Sequence, residues 1–350
     1  MMQIESKNTR ILLSLTALFI IIYSLQAAAP LLIPFLLAIF LALITLKPMF
    51  WLQSKKIPGI FSALTIVAVI MLLLLFIASI LGTSIVDFTN ALPSYQARLD
   101  LILEVLLESI SNYISGDQSK FELNEIIDPG WIMGLAASLL NALRDVLTNT
   151  FLIMFTMIFI LLEASSFEVK LLAAFNRKSD SFERQKIFIG NLGRYLGIKT
   201  LVSIATGITV AVVTSWIGLD FPLLWGMFAF LLNYVPTIGS IIAAVPAILM
   251  ALIQLGIGDA VTTAISFFVI NLLFGSFIEP KLLGYGVGLS PLVVFISLFF
   301  WGWIFGPVGM ILSVPLTMAL KMALESDKET RWLAIIIGSE DDALYKIQTK

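Results

Sequence analysis

The sequence predicts an all-α polytopic membrane protein, and three observations support this fold class. Of the 350 residues, 59% are hydrophobic and only 13% are charged, and the mean hydropathy is +1.01, whereas soluble domains carry roughly 25% charged residues. Several apolar runs reach the ~20 residues that a helix needs to span a bilayer. Proline and glycine clusters interrupt two of these runs in the C-terminal half. The lipid bilayer is therefore an expected partner of the chain.

These runs form eight hydrophobic segments. The segments lie at residues 10–29, 30–46, 60–86, 146–163, 200–217, 222–254, 260–278 and 289–321. The first resembles a cleaved signal peptide, because Lys7 and Arg10 precede it and three alanines end it. Pro30 follows at once and opens the second segment, which favours an uncleaved helical hairpin.

Segments 222–254 and 289–321 are too long for one crossing each. The first is interrupted by N-Y-V-P-T-I-G at 233–239 and the second by F-G-P-V-G at 305–309, and a Val-Pro pair follows each interruption. Proline removes a backbone donor and glycine frees the chain, so polar backbone groups are released at bilayer depth. Paired broken segments in two halves of a chain are typical of a transport site. We predict that each segment is a Gly/Pro-broken hairpin.

The charged residues predict the orientation, since Lys and Arg concentrate in cytoplasmic loops. Basic residues precede the first segment and follow the second and the fourth, so these regions and both termini are expected to be cytoplasmic. The resulting divisions are residues 1–86 with three transmembrane helices, an extracytoplasmic amphipathic helical region at 87–145, a transmembrane helix at 146–163, a cytoplasmic helical connector at 164–199, a transport core with broken helices at 200–321 and a cytoplasmic tail at 322–350. When membrane crossings are counted from the cytoplasmic N-terminus, the two broken segments enter the membrane from opposite sides, which would bring their turns toward each other. Two full crossings per segment agree equally well with this count.

The C-terminal half also resembles a known family. The resemblance is carried by L-W-G at 224–226, N-Y-V-P-T-I-G-S at 233–240, F-I-E-P-K-L-L-G at 277–284, L-S-P at 289–291 and G-P-V-G at 306–309. In order and spacing these motifs are similar to those of the autoinducer-2 exporter family of bacterial permease-like proteins. The resemblance implies a multi-pass inner-membrane transporter that forms a homo-oligomer, with a pentamer among the possible assemblies. Members of this family are linked to autoinducer-2 export and to sodium or lithium/proton antiport.

Four polar side chains in or beside the apolar segments are candidates for a solute or ion pathway. Asn233, Thr237 and Asn271 could hydrogen-bond a polyol or coordinate a cation, and they would look the same as hydrogen-bonding contacts between helices. Glu279 is an acid at a proline-broken membrane boundary, where acids are functional candidates. Its alternative role is a structural pair with Lys281, two residues later. Proline and glycine residues are expected to shape this pathway as hinges: Pro236, Gly239, Pro307 and Gly309.

Several other functions are excluded or disfavoured. A net charge of −2 is unsuited to nucleic-acid binding. The absence of cysteine and histidine removes thiolate and imidazole chemistry, and no cofactor or metal is predicted. Gly256 to Asp259 spells the G-x-G-D string of intramembrane aspartyl proteases, but that chemistry needs a second membrane-embedded aspartate. Asp259 is instead expected to be the N-cap of the seventh segment.

The leading prediction is a secondary exporter of a small polar solute such as autoinducer-2, and not an enzyme. No G-x-x-x-x-G-K-[ST] loop is present, so a gradient of the solute or of an ion must supply the energy. The alternative is an antiporter exchanging Na⁺ or Li⁺ for H⁺, with Glu279 or Glu163 as the proton carrier. A scaffold without transport activity is a third reading.

Overall fold

A computed structural model describes residues 7–113, 148–174, 180–236, 238–283, 288–327 and 329–340. Within these ranges the chain forms helices, turns and one isolated bridge between Leu289 and Gly338. The helices are α1 (Lys7–Ala27), α2 (Ala29–Ser54), α3 (Gly59–Tyr113), α4 (Thr150–Ala174), α5 (Asp180–Ile217), α6 (Pro222–Leu232), α7 (Gly239–Leu255), α8 (Ile257–Asn271), a π-helical segment (Leu272–Ile278), α9 (Glu279–Leu283), α10 (Pro291–Ile311), α11 (Ser313–Ser326) and α12 (Arg331–Ile337).

The predicted fold class is confirmed. Among the described residues, five helices are long and apolar enough to cross a membrane: Ala29–Ser54, Gly59–Ser79, Ile187–Ile217, Ile257–Leu283 and Pro291–Ile311. Four shorter apolar helices accompany them: Leu15–Ala27, Thr150–Ala164, Pro222–Leu232 and Gly239–Leu255. Large apolar side chains such as Trp216, Phe151 and Phe268 are exposed on these helices. This outward apolar surface is what a bilayer covers in a multi-pass membrane protein.

Two helices are longer than a bilayer is thick. Helix α3 has 55 residues and α5 has 38, which correspond to roughly 80 and 57 Å at 1.5 Å per residue. Residues 86 and 199, where the sequence predicts domain boundaries, lie inside these helices. The amphipathic region after residue 86 therefore begins as a continuation of the third span, and its remainder, residues 114–145, lies outside the described residues.

The helices group into two compact units. One unit comprises residues 1–64, 149–192 and 288–350; in it α2 packs on α4, and α10 contacts α1, α2 and α11. Its apolar core includes Ala29, Ile304 and Phe305. The other unit comprises residues 65–148 and 193–287, and in it α7 packs against both α6 and α8.

The start of α8 corrects one expectation. Gly256, with φ of 99°, ends α7 and is itself the N-cap of α8, because its left-handed backbone reverses the chain direction between the two helices. The prediction that Asp259 is the N-cap is therefore wrong. Asp259 lies in the first turn of α8 instead, where its negative charge complements the helix dipole.

Candidate functional site

The first broken segment is a helical hairpin whose two ends are tied together. Helices α6 and α7 are joined by a connection whose residues 233–236 form turns. At the open end, the Asp220 N–H donates to Gln254 Oε1 at 2.9 Å, and Gln254 Nε2 donates to the Gly218 carbonyl at 3.2 Å. The 11 residues of α6 rise roughly 16 Å, about half of a 30 Å hydrocarbon core. A re-entrant hairpin therefore accounts for this segment better than two full crossings.

Gly239 makes the reversal of the first hairpin possible. A Cβ atom added at Gly239 would overlap the Leu232 carbonyl oxygen and lie 3.0 Å from the Cβ of Val235. Only a residue without a side chain lets the start of α7 approach the end of α6 this closely. Gly239 is buried, and its predicted role in shaping the pathway remains a prediction.

The second broken segment repeats this design. Gly306 interrupts α10 with φ of 62° and ψ of −149°, a conformation that favours glycine. A Cβ at Gly309 would overlap the carbonyl oxygen of Trp301, although eight residues of straight helix span roughly 12 Å. The chain therefore doubles back at Gly306. Lys321 Nζ donates to the Gly288 carbonyl at 2.7 Å, so the open end of this hairpin is tied as well.

The two arms of the second hairpin are joined by a polar contact in an apolar setting. Trp301 Nε1 donates to Thr317 Oγ1 at 3.0 Å, and Thr317 Oγ1 donates to the Ser313 carbonyl at 2.7 Å. Thr317 is buried. These bonds fix α11 against α10, because a buried polar group that loses its partner is costly at bilayer depth.

The turn of the first hairpin lies against a polar face of α5. Asn233 Nδ2 donates to Ser203 Oγ at 2.9 Å, and the Tyr234 hydroxyl donates to Thr200 Oγ1 at 2.8 Å. Asn233, Tyr234 and Ser203 are buried. Two polar residues of the break are thus held by hydroxyl groups one helical turn apart on α5.

Two glycines bring α5 and α6 close enough for these bonds. A Cβ at Gly207 would come within 2.7 Å of the Gly226 carbonyl oxygen, and a Cβ at Gly226 within 2.6 Å of the Gly207 carbonyl oxygen. Small residues at such a crossing let membrane helices approach backbone to backbone. Because α6 runs antiparallel to α5 from this crossing, its C-terminal end reaches Ser203 and Thr200.

Lys199, one turn before Ser203 on the same face, forms an ion pair with Glu279. Its ammonium donates to both carboxylate oxygens, at 2.7 and 2.8 Å. The side chains are only 7% and 14% exposed, so solvent screens the pair weakly. Two opposite charges removed from water depend on each other, since either alone would be strongly destabilising.

A π-helical segment positions Glu279. The Glu279 N–H donates to the Phe274 carbonyl, five residues earlier, at the end of the segment Leu272–Ile278. Pro280 explains the widened turn, because a proline in a regular helix lacks an N–H and collides with the carbonyl four residues before it. π-bulges of this kind are frequent at functional sites. Here the bulge ends at the acid that pairs with Lys199.

The structure brings only some of the predicted site residues together. Asn233 and Glu279 both bond to the polar face of α5, at Ser203 and Lys199. Pro236 is half-buried in the first turn, and Asn271, the last residue of α8, is exposed with its Oδ1 over Gly275. Lys281 is exposed on α9, and the cation that pairs with Glu279 is Lys199. Pro307 is exposed and Gly309 buried in the second hairpin, while Thr237 lies outside the described residues.

Sequence reasoning missed the face of α5. Lys199, Ser203 and Gly207 recur every four residues, which places them on one side of a helix. As the last residue of the predicted connector 164–199, Lys199 counts among the basic residues that predict a cytoplasmic side. The useful signal was the continuity of the helical pattern, since α5 runs unbroken from Asp180 to Ile217 and carries Lys199 into the apolar span.

Asp220 organises the open end of the first hairpin. Its carboxylate accepts a hydrogen bond from the Tyr95 hydroxyl of α3 at 2.7 Å, and its carbonyl accepts one from Trp225 Nε1 at 2.8 Å. Phe221, next in the chain, has a left-handed backbone with φ of 58°. Burial raises the pKa of the Tyr95 phenol above its ordinary value, and the hydrogen bond to Asp220 raises this pKa further. Tyr95 therefore remains a donor throughout the neutral pH range.

Comparison with known proteins identifies the family of this chain. Residues 11–327 match the model of the AI-2E family transporter. The AI-2 transport protein TqsA of Escherichia coli K12 is 34% identical over 335 residues, covering 96% of this chain and 97% of that protein. A putative transport protein of Haemophilus influenzae is 35% identical over 339 residues, covering 95% and 97% of the two chains. The putative transport protein YhhT of Escherichia coli K12 is 32% identical over 337 residues, covering 96% of each. The chain belongs to the AI-2E family of transporters.

Proposed function

We propose that this chain is a secondary transporter that exports a small polar solute such as autoinducer-2. The observation that carries the substrate class is the likeness to TqsA, which is named an AI-2 transport protein and aligns over nearly the full length of both chains. Two broken hairpins with tied open ends support the mechanism, because broken helices supply polar backbone and side-chain groups at membrane depth.

The turn of the first hairpin is our candidate for solute contact. A side-chain amide has two donor hydrogens and two acceptor positions, and Asn233 uses one hydrogen on Ser203. Its carbonyl oxygen and second hydrogen suit the hydroxyl groups of a polyol. The Lys199 and Glu279 pair lies one helical turn from Ser203 on α5. It adds hydrogen-bond donors and acceptors that an uncharged, hydroxylated solute can engage.

The occupied carboxylate of Glu279 favours solute export over antiport. Both of its oxygens accept hydrogen bonds from Lys199, which leaves less room for a transported cation at this acid. Within the residues that the structure describes, no group of three or more acidic side chains could hold a metal ion. We further propose that the protein lies in the bacterial inner membrane as a homo-oligomer, on the basis of the family resemblance. The charge distribution of its loops supports cytoplasmic termini, and a gradient of the solute or of an ion drives transport.

The test is a flux assay with purified full-length protein in proteoliposomes. Vesicles loaded with autoinducer-2 should release it faster than protein-free vesicles, whereas sodium and lithium gradients should produce no proton movement. Asn233→Ala should raise the half-saturating solute concentration more than Ser203→Ala, because only the former removes the amide. Gly258→Ala is the matched control, since a Cβ there meets nothing within 4 Å. Cation-coupled proton flux without solute flux would contradict the proposal.

A further inference from the structure

Helix α12, after the last span, exposes an apolar face. Trp332 is 59% exposed, Ile335 37% and Ile336 65%, whereas Ala334 is fully buried. The three exposed side chains recur at three- and four-residue steps and therefore share one face of the helix. Ala334 points the opposite way, toward the protein.

Backbone hydrogen bonds fix α12 to the open end of the second hairpin. The Ser290 N–H donates to the Ile337 carbonyl at 3.0 Å, and the Ser339 N–H donates to the Gly288 carbonyl at 3.3 Å. Leu289 and Gly338 form an antiparallel bridge between these two bonds. The C-terminal end of α12 is thus held next to the start of α10.

The surroundings of this attachment indicate the depth of α12. Helix α10 begins at Pro291, and Leu292, Ile296 and Phe295 in its first two turns are exposed by 65%, 55% and 48%. These side chains face lipid if α10 is a membrane segment. Since α12 is bonded to the residues just before α10, it lies at the end of this apolar segment, where the boundary between headgroups and acyl chains is expected.

We propose that α12 is an interfacial anchor whose apolar face inserts into the headgroup and acyl-chain boundary of the bilayer. Trp332 suits this position, because tryptophan is enriched at membrane interfaces. Electrostatic attraction is not the driving force, since the acids Asp327 and Glu329 before the helix are balanced in the sequence by the bases Lys328 and Arg331. The anchor therefore binds zwitterionic lipid through apolar burial, and salt leaves it in place.

The experiment uses the absence of native cysteine. Ile336→Cys in the full-length chain is labelled with an environment-sensitive fluorophore and reconstituted into phosphatidylcholine vesicles. Lipids that carry a nitroxide near the headgroup should quench this probe several-fold more strongly than they quench the same probe at Glu329→Cys, an exposed polar position before the helix. Quenching should be unchanged at high salt, and aqueous iodide should show the reverse preference. Trp332→Cys provides a second probe on the same face.

Three outcomes would overturn the anchor. Equal iodide quenching at Ile336→Cys and Glu329→Cys would place the face in water. Self-quenching that grows with protein density, without nitroxide quenching, would assign the face to a second copy of the chain. A probe that becomes lipid-accessible only after removal of residues 341–350 would assign it to the end of this chain.

Discussion

Lys199 on α5 and Glu279 after the π-helical segment, 80 residues apart in the sequence, form a bidentate ion pair with N–O distances of 2.7 and 2.8 Å. The pair connects α5 with the proline-broken end of the α8 span. Because Ser203 and Thr200 on the same stretch of α5 bond to the first hairpin, one helix positions both the turn at Asn233 and the acid at 279. A displacement of α5 would therefore change both together.

Removal of one partner of this pair should damage folding more than removal of both. Lys199→Met leaves a buried carboxylate without a counter-charge, at a cost of about 3–5 kcal/mol. Glu279→Gln has the same effect on the ammonium. The double variant carries no unpaired charge and should recover the yield of folded protein, measured by size-exclusion chromatography in detergent, while its solute flux remains low.

Lys281→Met is the control, since Lys281 is exposed and should tolerate the change. Double-variant flux equal to that of the unmodified chain at every pH would show that the pair stabilises the fold and takes no part in transport. Single variants with normal yield would show that the pair is not buried.

The hairpin glycines should not accept alanine. In Gly239→Ala and Gly309→Ala the new methyl group overlaps a carbonyl oxygen of the preceding arm, at Leu232 and Trp301. Backbone cannot move aside as a flexible side chain does, so we expect a loss of about 3 kcal/mol or more. Thermal unfolding of the purified protein measures the loss, and Gly258→Ala should unfold as the unmodified chain does. Equal midpoints for all three variants would contradict the doubled-back geometry.

Tyr95→Phe should destabilise the protein by a constant amount across neutral pH. The lost hydrogen bond to Asp220 is partly exposed, which suggests about 1 kcal/mol. The pKa of Tyr95 is raised in the folded protein, so its contribution is fully present below the ordinary tyrosine pKa of about 10 and is lost only as the pH rises through the folded value. The difference in unfolding midpoint between the two proteins should therefore be the same at about pH 7 and pH 9. A difference that shrinks toward pH 9 would contradict the assigned bond.

The local features of the fold were predictable, and the pairings between distant helices were not. The breaks at 233–239 and 305–309 follow from proline and glycine chemistry within a few residues, and the all-α class follows from composition. Lys199 and Glu279 meet only because α5 continues into the apolar span and the π-helical turn before Pro280 rotates Glu279 toward Lys199. The prediction of Asp259 as the N-cap is wrong because α8 begins at the backbone of Gly256. A helix start made by backbone conformation alone leaves no side-chain capping signal in the sequence.

The topology remains a prediction, and single cysteines can test it. One crossing, Ile257–Leu283 with 27 residues, separates the first hairpin from the second, so the open ends of the two hairpins should lie on opposite sides of the membrane. The basic loops place the second on the cytoplasmic side, together with Ser326 at the end of α11. In intact cells an impermeant thiol reagent should therefore label Ser115→Cys, in the region predicted to be extracytoplasmic, and should reach Ser326→Cys only after permeabilisation. Labelling of both positions from the same side would reverse the assignment of one hairpin and contradict the opposed entry of the two broken segments.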